Sequence, residues 1–336
     1  MENIEIKNLL KDTNKIKIEN IDTYLKERGV IIQVSFGGGR NAYKISPKAF
    51  GVKEETLSKE SHEFLDEHFR NGSVTFIPNK KYKELRAIES RVKKKLREIS
   101  IGYNNTFVPL KSFKEFAQYF DKAKKEYLEI GEELSEEYSN MLNRFKEIVN
   151  KSIIDLNAYE AEKEYEKIMA EIPSADNFKN SFKADMIISL FPTMQNFDGV
   201  EDSLQKKLKE QYQEIGERLI SESTVSLIDE GTTALISVLK SNRDNGEIHY
   251  KTIEKLKNSV KRLGEKNIFG NEKIEKIRFN IKNILKMDKD TILENCEKLL
   301  SELYVYSKNL KIDEEIDLKG CPLTKKELEM IYELYE

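Results

Sequence analysis

The side chains of this 336-residue chain that could do chemistry are few in kind and poorly spaced for it. Its three histidines are His62, His68 and His249. The first two lie six positions apart, about 120° round a helix, which does not aim two imidazoles at one metal ion. His62-Glu63 also fails as the opening of a zinc-protease motif, because the second histidine comes two positions too late. All three read as solvated or helix-capping residues. Cys296 and Cys321 form no CxxC pair and have no His and Asn partners in a readable arrangement, so neither a redox dithiol nor a thiol nucleophile is expected. The 60 acidic residues are scattered over helical faces, and none stands beside an unusual polar cluster that would tune a carboxyl pair for acid and base work. The expectation is a chain with no catalytic residue, no metal site and no cofactor.

Anion binding has two candidates. In Gly37-Gly38-Gly39-Arg40, successive glycines would let backbone N–H groups point at a phosphate that Arg40 clamps. The run lacks the Lys-Ser/Thr ending and helix start of a P-loop, so its simpler reading is a turn after a strand. The second candidate is the most basic segment of the chain, Lys80 to Arg97. Within it Arg86, Arg91, Lys93, Lys94, Lys95 and Arg97 would neutralise phosphates with a steep dependence on salt. Glu84, Glu89 and Glu98 dilute that charge, and the acidic segment Glu132, Glu133, Glu136 and Glu137 can oppose it. Internal ion pairing or a solvated face is therefore the plainer reading, and any nucleic-acid contact should be weak.

The elements that would position these residues are mostly helices. Charged residues make up 35% of the chain and hydrophobic ones 38%, with no Trp and only 6 Pro, which suits solvated helices that each bury one stripe. Lys and Arg number 57 against 60 Asp and Glu, so a net charge of -3 provides no global pull toward DNA or anionic lipid. Two unpaired cysteines fit a reducing compartment, and Met1 to Leu10 lacks the basic start and apolar core of a signal peptide. The most apolar runs, Met186 to Phe191 and Thr232 to Leu239, are far short of the roughly 20 residues that span a bilayer. A cytoplasmic protein without constitutive membrane insertion is expected.

Along the chain, Asn14 to Arg28 predicts a helix and Val30 to Phe36 a strand. Ser73 to Ile77 predicts a second strand, available to pair with the first. Tyr82, Leu85, Ile88, Val92, Leu96 and Ile99 place a one-faced helix over residues 79–100. Phe113, Phe116, Phe120, Ala123, Tyr127, Ile130, Leu134, Tyr138, Met141, Phe145 and Ile148 then step by three and four, with a four-four stutter around Leu134. That pattern predicts one long helix with a coiled-coil-like seam. Further helices are predicted over Leu156–Glu171, Asn177–Leu190, Glu201–Ser221, Thr224–Lys240, Tyr250–Leu263, Asn271–Lys286 and Thr291–Leu310, with a last one after Pro322. The fold class is mainly α, an elongated helical bundle with a long coiled-coil-like helix and a small β element near the N-terminus. Three regions are expected: 1–110 with the short strands and basic helix, 111–222 with the long helix, and a helical 223–336.

The order of Val30 to Arg40, Asn71-Gly72 into Phe76-Ile77-Pro78, the basic helix from Leu85 to Leu96 and the Asn104 to Pro109 break resembles domain of unknown function 3150. Ser223 to Ile284 is similar to the same family, with its Thr232-Thr233 helix and Asn245-Gly246-Glu247-Ile248 loop. Where members of that family often carry a Trp near the strand-turn, this chain has Phe36. The resemblance implies a protein of phages, plasmids or integrating elements, in some cases encoded beside a MoxR-like AAA+ ATPase and a von Willebrand A-type partner. It implies no activity.

Three functional classes follow. The first is a non-enzymatic helical adaptor or assembly factor that self-associates or holds a protein partner, a AAA+ ATPase among them, with Glu132, Glu133, Glu136 and Glu137 as the contact surface if the seam is occupied. The second is a nucleic-acid-associated protein acting through residues 80–97. The third is a helical pore-former whose amphipathic segments rearrange on a membrane.

Overall fold

The computed structural model describes residues 21–38, 42–44, 73–102, 106–155, 161–191 and 202–335. The described residues are mainly helical, as the periodicity predicts, with two small sheets. By backbone proximity the chain falls into two compact units, 1–33 with 95–116 and 188–336, and 34–94 with 117–187. Each unit draws on more than one of the consecutive regions 1–110, 111–222 and 223–336.

A short helix, α1 (Ile21–Arg28), leads directly into strand β1 (Gly29–Gly37). Strands β2 (Ala42–Lys44) and β3 (Ser73–Thr75) precede helix α2 (Asn79–Ile99). The pairing corrects the expected one: β3 joins β2 with Tyr43 opposite Val74, and not β1. Strand β1 instead pairs antiparallel with β4 (Phe107–Pro109), Val30 opposite Val108. Three residues beside Asn104-Asn105 carry no readable alternation, which is why β4 escapes a sequence reading. Gly29 is needed here, because a Cβ would lie 2.3 Å from the Phe107 ring.

The seam forms as helix, but in two pieces, α3 (Leu110–Glu136) and α4 (Tyr138–Asp155), separated by a turn at Glu137. The single helix expected over Phe113 to Ile148 is thereby corrected. Hydrogen bonds of the i to i−4 kind still flank the turn, from Glu137 N to Glu133 O and from Met141 N to Glu137 O. The break falls where the sequence stutters. Ser135 Oγ also donates to the Gly131 carbonyl at 2.6 Å, a back-bond of the type that bends helices. Phe116, Phe120, Ala123, Tyr127, Leu134, Met141 and Phe145 are buried, while Phe113 is half-buried.

Helix α5 (Ala161–Glu171) packs on α4 and β2, and α6 (Ala175–Ser181) follows, its Ser174 side chain accepting from Asn177 N. In the unit of residues 34–94 and 117–187 the core is aromatic. Phe76 meets Phe145 and Phe178 edge-on, each at 5.4 Å, and Tyr43 meets Phe145 at 5.5 Å. Phe182 packs against Phe178 and fills the place where a Cβ on Gly131 would stand.

Residues 183–190, expected to continue a helix from Asn177, form strand β5 (Lys183–Leu190) on the other side of β1, giving the sheet order β4-β1-β5. Lys, Ala, Met and Leu favour a helix in isolation, so pairing with a distant strand overrides local propensity here.

The remaining helices are α7 (Asp202–Asn245), α8 (Tyr250–Lys266), α9 (Glu272–Ile284), α10 (Lys289–Asn309) and α11 (Lys325–Tyr335). Helix α7 joins two predicted helices without a break and stops at Gly246, whose φ of 69° lies in the left-handed region that favours glycine. It packs along α8 and α10, burying Leu227, Ile228, Leu235 and Val238 among Leu256, Ile277, Ile281, Leu299 and Leu303. The later helix starts are fixed by side chains. Asn271 accepts from Ile274 N, Asp288 from Thr291 N, and Thr324 with Glu327 forms a reciprocal capping box. A second core joins Leu25 of α1, Ile31 of β1, Phe107 and Phe191 to Leu219 and Ile220 of α7.

Candidate functional site

Helix α2 exists because its apolar residues recur on one side: Leu85, Ile88, Val92, Leu96 and Ile99 are buried and the basic residues are left outside. Most of those cations meet carboxylates. Lys81 pairs with Glu133 and Arg91 with Glu126, both acids on α3. Arg86 and Lys93 share Glu89, each at 2.6 Å. Burial pushes the Glu89 carboxyl up, but these two cations outweigh it and hold it below the usual range. Lys95 reaches Glu115 at 3.3 Å. Among the described residues Lys94 and Arg97 have no ion pair.

Of the acidic segment, Glu133 is spent on Lys81, while Glu132, Glu136 and Glu137 are exposed at the end of α3 and the turn after it. Arg40, Gly39, His62 and His68 lie outside the described residues. Gly37 ends β1, and its carbonyl accepts from Tyr127 Oη at 3.1 Å. His249 caps α8, its Nδ1 accepting from Lys251 N at 3.3 Å. Both cysteines are free thiols, Cys296 buried and Cys321 half-buried. Among the described residues no group of three or more His, Cys, Asp or Glu is placed to hold a metal ion, and no helix is long and apolar enough to cross a membrane.

A polar cavity of about 200 Å³ in the unit of residues 1–33, 95–116 and 188–336 holds a charge network that no sequence spacing announces. Glu115 takes both Lys95 and Lys261, the latter at 2.5 Å, and the Lys261 hydrogen bond is the main cause holding its carboxyl below the usual range. Ser112 Oγ donates to Glu265 at 3.0 Å. Arg262, also in the lining, grips Glu230 with two hydrogen bonds of 2.9 and 2.6 Å. Lys95, Lys261 and Arg262 thus each meet a carboxylate.

No family model, curated protein or solved structure matches this chain.

Another surface feature is strand β5, which reading the segment as a helix concealed. It lies at an edge of its sheet, and it exposes Ile187 (58%), Ile188 (47%) and Leu190 (58%). Successive strand residues point to opposite faces, so Ile187 and Ile188 leave apolar surface uncovered on both. Lys183 and Asp185 put charge only at its beginning, with Asp185 4.0 Å from Lys124. Met186 to Leu190 carries none of the charges or prolines that normally blunt a sheet edge. The run Met186 to Phe191 stands out in the sequence as apolar, which is the signal that could have found it.

Proposed function

We propose that this protein is a non-enzymatic helical adaptor or assembly factor of a phage or mobile element, cytoplasmic, with a AAA+ ATPase as partner where its operon encodes one. The observation that carries the adaptor reading is the uncharged, apolar stretch of the β5 edge. An extended segment of a partner can add there as a strand, with backbone hydrogen bonds giving affinity and Ile187, Ile188 and Leu190 giving contact area. The buried state of the seam supports the choice of another surface, since Phe116 to Phe145 are used within the chain. The exposed Glu132, Glu136 and Glu137 form a second, charged contact. The mobile-element setting and the ATPase rest on the resemblance to domain of unknown function 3150.

Co-purification of the tagged chain with the products of its neighbouring genes tests this. The expected outcome is retention of the ATPase by the wild type and its loss in Ile187→Lys with Leu190→Lys, which sit in solvent and leave the fold intact. A lone monomer under gentle salt overturns the adaptor reading, and a complex indifferent to both substitutions moves the contact to the acidic segment.

A further inference from the structure

A cavity of about 290 Å³ opens between α9, α10 and α11, at the lower end of the roughly 300–1,000 Å³ typical of small-ligand sites. Its lining brings together Lys273 and Lys276 from α9, Lys298 and Glu302 from α10, and tyrosines from α10 and α11. Three ammonium groups, against the lining Glu302 and the Glu294 that holds Tyr335, leave the space net positive. The cations are also seated. Lys273 Nζ lies 4.6 Å from the centre of the Tyr306 ring, and Lys298 Nζ lies 4.6 Å from that of Tyr335. Those rings are themselves anchored, Tyr306 accepting from Asn271 Nδ2 and Tyr335 donating to Glu294 Oε1, each at 2.8 Å. Among the described residues neither Lys276 nor Lys298 has an ion pair, whereas Lys81, Arg86, Arg91, Lys93 and Lys95 of the basic helix α2 do.

From this arrangement we infer a binding site for a small phosphorylated organic molecule, about the size of a nucleoside monophosphate. The ammonium groups of Lys276 and Lys298, compact point charges without an ion pair, match the double charge of a phosphate monoester better than the single charge of a carboxylate. Phenol faces with Ile277 and Val305 supply the apolar wall that a ring of the ligand would meet. The small volume of this cleft favours a small molecule over a polymer.

Titration calorimetry with adenosine monophosphate, inorganic phosphate and acetate tests the assignment, with a single-stranded oligonucleotide as a fourth arm. Adenosine monophosphate should bind saturably with a Kd below about 1 mM, phosphate more weakly and acetate not at all. Lys276→Gln and Lys298→Gln should each weaken it about tenfold, the loss of one charge-assisted hydrogen bond, while Lys255→Gln, on α8 and outside the cavity, leaves it unchanged. Lys276 is exposed, so its replacement does not threaten folding. Absence of saturation up to about 10 mM, or binding indifferent to both substitutions, overturns the site. Oligonucleotide binding that needs Lys276 and Lys298, without binding of the monophosphate, overturns the small-molecule assignment.

Discussion

Cys296 sits fully buried on α10, and burial pushes its thiol up to about 12. Cys321 is half-buried and pushed up as well, chiefly by desolvation. Because the thiolate is the reactive form, iodoacetamide at pH 8 should label Cys321 slowly and Cys296 only after unfolding. Equal labelling rates in the native protein, read by mass spectrometry, would contradict the burial. The raised value at Cys296 also has a sign. The unfolded chain ionises this thiol near the ordinary cysteine range while the folded one keeps its proton, so the stability it contributes is complete below about pH 8.5 and is lost as pH rises toward 12. Lys266 behaves in the opposite way. It is buried at the end of α8, where desolvation lowers its pKa despite Glu230, Glu98 and Asp229, and Arg262 adds repulsion. Glu230 is already held by Arg262, and Asp229 accepts from Asp317 N, so removing the lysine orphans neither carboxylate. Lys266→Met should therefore stabilise the protein by about 1 kcal/mol at pH 7. The depressed value means that the wild type gains stability as pH rises toward that of free lysine, so the advantage should shrink by about pH 10. Denaturant titrations at the two pH values check both statements.

Among the elements, the seam helices bear the largest testable energies. Phe120→Ala removes a buried ring beside Phe36, and Phe145→Ala one wedged between Tyr43 and Phe76. Each should cost about 3–5 kcal/mol, whereas the half-buried Phe113→Ala should cost no more than about 2. Equal losses at Phe113 and Phe145 would mean that the two positions share one environment. These helices are legible in the sequence because burial on one side writes a step of three and four into the residues themselves. The break at Glu137 is half-legible, since the four-four step at Leu134 marks the place but the Ser135 back-bond to Gly131 does not show. Strands β4 and β5 are illegible for a different reason. Their partner, β1, is distant in sequence, and no local period records a non-local ladder. The basic cluster of α2 can be seen as charge, but its partners Glu126 and Glu115 come from packing. The lysine cavity is harder still, because Lys273, Lys298 and Tyr335 meet only when three helices have been arranged.

At the scale of the whole molecule, charge sets what nucleic-acid binding should look like. The chain carries a formal charge of -3, so no long-range field draws it to DNA. Binding would have to come from α2, where Lys81, Arg86, Arg91, Lys93 and Lys95 are already engaged with carboxylates. Each engaged cation would have to exchange an internal partner for a phosphate, which leaves Lys80, Lys83, Lys94 and Arg97 as the ready contacts. About four phosphate contacts release about four counterions, so the plot of log K against log salt should be no steeper than about -4. Fluorescence anisotropy with a short labelled duplex should therefore show weak binding at 50 mM salt that falls on the order of a hundredfold by 200 mM. Changing Lys93, Lys94 and Lys95 together to Glu should abolish it, because it removes Lys94 and sets three new acids beside Lys80, Lys83 and Arg97 that repel the phosphates. The same change removes two exposed ion pairs, to Glu89 and Glu115, each contributing at most about 1 kcal/mol, so the circular dichroism spectrum should stay that of a folded helical protein. Tight binding that survives 200 mM salt would show the internal pairs to be broken by DNA and would favour a nucleic-acid role over the proposed adaptor.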